Sequence, residues 1–354
     1  MEKSVIKERN CNIDLLRIFS AFAIVVLHVS SKSLFGVELL SHKWIAFVLY
    51  DLAVRWAVPV FVMISGIFFL DADKEIPLKK LYSKNILRLV AAYIFWSLIY
   101  AVEHCFMKNY GTKDFLLDFV NGEDFLWFLI MMAALYIYTP LLRKITENRK
   151  TEKYFLIVFG FFFCVLPTIL SFISPQMFDK INALFLERTQ LSLFCGIVGI
   201  YYSFYYVLGH FLHNTEFTVM QRILIYLLGV IVFAVSMIAT CRLSQELNKI
   251  ATHFFRFLSL TVAIESVAVF VLFDNIKIKP GNKSKKLIGI LSKCSFGVYL
   301  AHLLILDIFY YFGCKTTSFN SFISVPVISL AVFAAAFVIS YILNKLPFIN
   351  KYIV

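Results

Sequence analysis

Residues 12 to 31 read NIDLLRIFSAFAIVVLHVSS, a run long and apolar enough to cross a bilayer that nevertheless carries Asp14, Arg17 and His28. An Asp or Arg at the centre of a spanning helix costs about 2.5 to 3.5 kcal/mol on insertion scales, so these side chains need partners or a polar crevice. From Arg17 to His28 is eleven residues. At about 100° per residue this is about 20° past three full turns, which puts both side chains on one face, about 16 Å apart along the axis. Asp14 lies one turn before Arg17 and Ser31 one turn after His28, so the stripe runs toward both membrane surfaces, with Asp14 placed to pair with or orient Arg17. Each residue also admits a purely structural reading. An Arg near a helix end can snorkel to headgroups, and a His inside a span can simply hydrogen-bond a neighbouring helix.

The rest of the chain is of the same kind. Its 354 residues are 60% hydrophobic and 16% charged, with mean hydropathy +0.81, against about 45–50% apolar and about 25% charged in ordinary soluble domains. Runs of about 20 mostly apolar residues recur along the whole length. The expected fold is all-α, a polytopic integral membrane helical bundle of about ten transmembrane helices near 13–33, 44–70, 86–106, 124–142, 154–174, 190–212, 222–241, 254–273, 294–312 and 321–344. Residues 1–354 read as a single membrane-embedded domain, with no long soluble domain, low-complexity linker or visible repeat. The long segment 44–70 predicts a tilted helix or one that starts at the outer surface. The first span reads as a retained helix, because no small-residue cleavage pattern follows His28.

Lys and Arg set the orientation, since cytoplasmic loops hold their excess. With the N-terminus inside, the inner segments contain Lys3, Lys7 and Arg9, the run Lys74 to Arg88, the run Arg143 to Lys153, Arg222, the run Lys277 to Lys293, and Lys345 and Lys351. The outer segments hold about half as many, among them Lys108, Lys180, Arg188, Arg242 and Lys315. Both termini are therefore expected in the cytoplasm. The formal net charge of +12 is spread over these loops, whereas a nucleic-acid binder gathers its basic residues on one face, so no nucleic-acid partner is expected. The seven cysteines, including Cys195, form no CxxC pair and mostly sit in or beside spans. They read as buried thiols, with neither a disulfide framework nor a metal site.

Taken together, RIFSAFAIVVLH (17–28), VPVFVMISGIFFL (58–70), WFLIMMAALYIYTPLL (127–142), YYVLGHFL (205–212) and CSFGVYLAH (294–302) make the chain resemble acyltransferase family 3, in particular the O-acyltransferases of bacterial surface polysaccharides. The family's Arg, ten intervening residues and His fall on Arg17 and His28, its Ser-Gly on Ser65 and Gly66, and its Tyr-Leu-x-His on Tyr299 and His302. One stretch departs from the pattern. Relatives carry several arginines at the entrance to the third helix, where LYSKNILRLV (81–90) offers only Lys84 and Arg88.

The resemblance implies transfer of an acyl group, most often acetyl, from cytoplasmic acyl-coenzyme A to a hydroxyl of a cell-surface polysaccharide or its lipid-linked precursor, in the bacterial cytoplasmic membrane. It implies no permanently bound cofactor; acyl-CoA is the donor cosubstrate. Under it His28 becomes the catalytic base for the acceptor hydroxyl or the site of an acyl-enzyme. Arg17, with Lys84 and Arg88, would bind the phosphates of coenzyme A, for which a guanidinium fork is well shaped. Ser65, Tyr136, Tyr299 and His302 become candidate donors toward the oxyanion, with helix packing as their structural alternative. Lys79 and Lys80 read first as ordinary inner-loop charge. Asp51 and Arg55, one turn apart, read as an internal ion pair, and Glu265 as facing the interior. No esterase-like domain follows the last predicted span, so transfer is expected to be completed within the bundle. Two other classes compete: a transporter or flippase of glycan or lipid-linked substrate, which would also carry intramembrane charge, and a membrane sensor or scaffold. The sequence does not specify the oligomeric state.

Overall fold

The computed structural model describes residues 10–72, 74–108, 111–173, 196–276, 278 and 280–354. The basic residues Lys3, Lys7, Arg9, Lys180, Arg188, Lys277 and Lys279, Cys195, and the first residues of the predicted span 190–212 lie outside the described residues. In chain order, α1 spans Cys11–Leu34, α2 His42–Val54, α3 Ala57–Phe69, α4 Leu87–Lys108, α5 Thr112–Asn121, α6 Trp127–Thr146 and α7 Arg149–Gly160. Then come α8 Leu166–Ile173, α9 Ile197–His213, α10 Val219–Leu247, α11 Leu260–Asn275, α12 Asn282–Tyr311, α13 Ser321–Leu343 and α14 Pro347–Tyr352. Among the described residues there is no strand, and nine helical segments are long and apolar enough to cross a membrane. The described part of the span expected at 190–212 is α9. The chain is a polytopic helical membrane bundle.

The opening helix starts where Asn10 caps it, accepting from the backbone N–H groups of Asn12 and Ile13, while Asp14 in its first turn and Lys32 in its last complement the helix dipole. It packs on α2, α3, α11, α12 and α13. Two thirds of its apolar window (67%) is buried, against 17% in α10 and 11% in the segment Arg149–Ile173. That contrast puts α1 inside the bundle and turns the other two outward, where lipid can cover them.

A parallel seam joins α1 to α12. Arg17 meets Ser292, His28 meets His302, Lys32 pairs with Asp307 and Ser33 meets Tyr310, in that order along both helices. Ser292, Ser295, Tyr299 and His302 follow one another at spacings of three, four and three, so α12 offers α1 a polar stripe of its own.

The segment expected as one long helix at 44–70 is broken at Arg55–Trp56, between α2 and α3. Pro59 supplies the reason: it has no N–H to give to the carbonyl of Arg55, and its ring crowds that carbonyl. The break turns Arg55 inward. Its Nε bonds the fully buried Asp51 at 2.6 Å, its Nη1 donates to the carbonyl of Phe255 at 2.7 Å, and its guanidinium lies over the rings of Phe255 and Phe257. The expected internal ion pair is present.

Below the break, α3 crosses α9 closely. A Cβ on Gly66 would run into the backbone carbonyl of Tyr206, and one on Gly209 into the backbone of Met63. Glycine at both points lets the two backbones touch, as small residues do in membrane helix pairs. Next to Gly209 on α9, His210 Nδ1 bonds the buried Glu152 at 2.7 Å, and Arg149 meets the other carboxylate oxygen at 2.9 Å. Glu265 is buried, on the wall of an apolar cavity between α2, α10 and α11.

Candidate active site

Two cavities flank the α1–α12 seam. The larger, about 300 Å³, is lined by Arg17 and Phe68, by Asn85 and Arg88 from the entrance to α4, and by Ser65, Phe128, Tyr136 and Tyr299. The smaller, about 150 Å³, is lined by His28, Ser31, Arg55, Asp124, Phe125, Trp127, Phe128, Phe257 and Tyr299. Phe128 and Tyr299 stand on the wall of both. Their rings lie 5.4 Å apart, so one aromatic pair stands between the chamber of Arg17 and Arg88 and the chamber of His28 and Arg55.

At the first chamber, Arg17 Nη1 lies 3.4 Å from Asp14 Oδ1 and 3.2 Å from Ser292 Oγ, and Ser292 donates to Asp14 Oδ1 at 2.6 Å. The triangle fixes the head of Arg17, whose charge also lies 5.5 Å from the centre of the Phe68 ring. Asp14 is buried and outside the cavity lining, so it steadies Arg17 from behind. Arg88 approaches the same chamber over the ring of Phe296, and its Nε is buried with no hydrogen-bond partner among the described residues. Lys84 is exposed and lines neither cavity. Of the two cations at 81–90, only Arg88 thus joins Arg17 at the larger cavity, with Asn85 beside them.

The hydroxyls divide by where their protons go. Tyr299 donates to the carbonyl of Phe125 at 2.6 Å and Ser65 to that of Phe61 at 3.1 Å, so in this conformation both are turned to backbone. Tyr136 meets Ser65 over the larger cavity, within electrostatic reach of Arg88 and Arg17. Pro140 follows four residues later and has no N–H to donate to the Tyr136 carbonyl, loosening α6 next to the chamber.

In the second chamber His28 is half-buried at the cavity wall. The ring of His302 lies 5.0 Å from it, and Phe125 packs edge-on to both. His302 is fully buried and its Nδ1 is 2.6 Å from the carbonyl of Tyr299. A carbonyl only accepts, so Nδ1 carries the proton and Nε2 holds a lone pair. In this tautomer His302 has no N–H at Nε2 to offer an oxyanion.

Of the candidate residues named from sequence, Arg17, His28, Arg88, Ser65, Tyr136 and Tyr299 line these cavities, whereas Asp14, Lys84 and His302 line neither. Ser292, Asn85, Phe128, Trp127 and Phe257 were not among the sequence candidates; of these, Asn85, Trp127 and Phe128 lie in stretches compared with the family. Ser292 was within reach, because it continues the spacing of Ser295, Tyr299 and His302 by one more turn. Trp127 and Phe128 open the stretch 127–142 that carries part of the family resemblance, whereas Phe257 carries no such mark in a chain that has 39 phenylalanines.

The fold and these chambers define a multi-pass membrane protein whose polar groups are gathered inside the bundle, where a buried reaction can be shielded from water. The model of acyltransferase family 3, described as an acyltransferase domain, matches residues 11–345. The chain belongs to this family and is an acyltransferase. No curated protein and no solved structure matches it.

Proposed function

We propose that the protein is an O-acyltransferase of the bacterial cytoplasmic membrane that moves an acyl group, acetyl in the first instance, from cytoplasmic acyl-CoA to a hydroxyl of a cell-surface polysaccharide or its lipid-linked precursor. The observation that carries this reading is the pair of chambers that meet at Phe128 and Tyr299. A long anionic donor suits the guanidinium chamber, where Arg17 and Arg88 would take phosphate and the narrow arm would run toward the aromatic divider. A sugar suits the other, where Trp127 and Phe257 offer ring faces and Arg55 and Asp124 offer polar groups beside His28.

The chemistry then follows from which atoms meet. His28 takes the proton of the acceptor hydroxyl as its oxygen attacks the thioester carbonyl. The tetrahedral intermediate collapses, the C–S bond breaks, and the leaving thiolate receives that proton from His28. The products are an O-acyl ester and the free thiol. Transfer is direct, because donor and acceptor occupy different chambers at the same time.

The test is purified protein in nanodiscs with acetyl-CoA and a lipid-linked or free oligosaccharide, read by mass spectrometry for acylated product. Acylation by the wild type and none by His28→Ala supports the reading. Equal product from the two proteins removes it. Mass spectrometry of surface glycans from cells with and without the gene reads acyl mass and acceptor together.

A further inference from the structure

We infer that His302 is a positioning residue for His28, accepting a hydrogen bond at Nε2 that fixes the tautomer of His28 and steadies the imidazolium formed during transfer. This rests on the reading of His28 as the base. Three observations support it. The tautomer of His302 is set by its own backbone, because Nδ1 donates to the carbonyl of Tyr299, one turn back on α12, at 2.6 Å. Its Nε2 is buried with no hydrogen-bond partner among the described residues. The ring centres of His28 and His302 are 5.0 Å apart.

A lone pair shut away from water without a donor is costly, about 1–3 kcal/mol by mutational measure, and side chains are seldom kept so without a use. Two imidazoles joined by an N–H···N bond of about 2.9 Å have ring centres about 5 Å apart, the separation found here, so turning the His28 ring, now tilted 50° to that of His302, makes the bond while His302 keeps its own to the Tyr299 carbonyl. His28 would then give one N–H to His302 and turn its other nitrogen, unprotonated, toward the acceptor in the small chamber. When that nitrogen takes the hydroxyl proton, the ring becomes positive. The bond to Nε2 then strengthens because its donor is charged. His302 touches neither substrate, and the proton leaves from His28 to the thiolate as before. The surroundings suit such a role: Phe125 and Tyr299 pack their rings against His302, so water does not compete for Nε2.

The two amide variants separate this from simple packing. Asn at 302 keeps a donor where Nδ1 meets the Tyr299 carbonyl and lacks an acceptor at the Nε2 position, whereas Gln reaches the Nε2 position with its amide oxygen. Apolar filling without either group is tested by His302→Leu. For each variant, thermal stability in detergent, donor affinity, KM and kcat are measured on the intact protein. The expected result is that His302→Asn and His302→Leu lose about 10²-fold or more in kcat with donor Kd and both KM values within twofold of wild type, and that His302→Gln recovers at least tenfold over His302→Asn. Wild-type kcat in folded His302→Asn or His302→Leu, or equal kcat in the Asn and Gln variants, overturns the inference. Should the Leu variant fail to fold, the comparison of Asn with Gln decides. His28→Ala is run alongside: a fully active His28→Ala overturns the reading of the base, whereas an inactive one beside an unaffected His302→Asn overturns only the role of His302.

Discussion

Ser292 donates to Asp14 across the seam between α1 and α12 at 2.6 Å, and the same hydroxyl oxygen lies 3.2 Å from Arg17. A single serine on one helix thus ties together the acidic and basic residues of another. With Asp14 buried, this contact supplies part of the solvation that the carboxylate has given up. Ser292→Ala should therefore loosen the head of Arg17 while leaving the reacting atoms alone. We expect KM for acyl-CoA to rise about fivefold, equivalent to about 1 kcal/mol, with kcat within twofold. Steady-state kinetics at saturating acceptor checks this, and a fall in kcat at constant KM would contradict it.

Arg17 itself is predicted to act through its fork. Arg17→Ala should weaken donor binding by at least tenfold, and Arg17→Lys should restore only part of it, because an ammonium cannot make two parallel bonds to one phosphate. Equilibrium binding of a non-hydrolysable acyl-CoA analogue measures both. Desulfo-CoA serves as a second probe. Affinity that is unchanged in Arg17→Ala would remove the phosphate role.

His28→Ala should lose about 10²- to 10⁴-fold in acyl transfer with its fold intact. His28 is only half-buried at a cavity wall, so truncation enlarges the chamber without opening the core. Product formation and melting temperature are read from the same preparation.

Tyr299 holds the divider between the chambers through its bond to the Phe125 carbonyl. Tyr299→Phe keeps the ring and loses the bond, for an expected loss of about 1 kcal/mol in stability and little change in rate. Tyr299→Ala removes the wall. Its predicted signature is acyl-CoA hydrolysis without acceptor, raised severalfold over wild type, because the opening at the divider, where the acceptor hydroxyl meets the thioester, widens and admits water in its place. A thiol-release assay with acceptor omitted distinguishes the two variants.

Gly66→Ala should destabilise the bundle by about 1–3 kcal/mol, since the added methyl meets the backbone of Tyr206 and the helices must part. Gly281→Ala is the control: nothing lies within 4 Å of the methyl it adds. Thermal melts in one detergent should show a lowered transition for the first and an unchanged one for the second.

The sequence by itself determined the class of fold and the first half of the candidate site. Apolar runs of spanning length leave a chain no alternative to helices, because lipid offers no partner to an unpaired backbone group, and nine of the ten expected spans fall on described helical segments long and apolar enough to cross a membrane, that at 44–70 with a break at Arg55–Trp56. The shared face of Arg17 and His28 is equally local, fixed by helical pitch alone. What only the tertiary structure decided is which side chains meet across helices. Ser292 reaches Asp14, and His302 reaches His28, through a parallel seam whose register is set by packing over some 275 residues of intervening chain. Hydropathy counts charge and apolarity along a strand of sequence and carries no information on that register. The division into two chambers is likewise three-dimensional, since Phe128 and Tyr299 come from helices far apart in the chain and become a wall only when α6 and α12 are brought side by side.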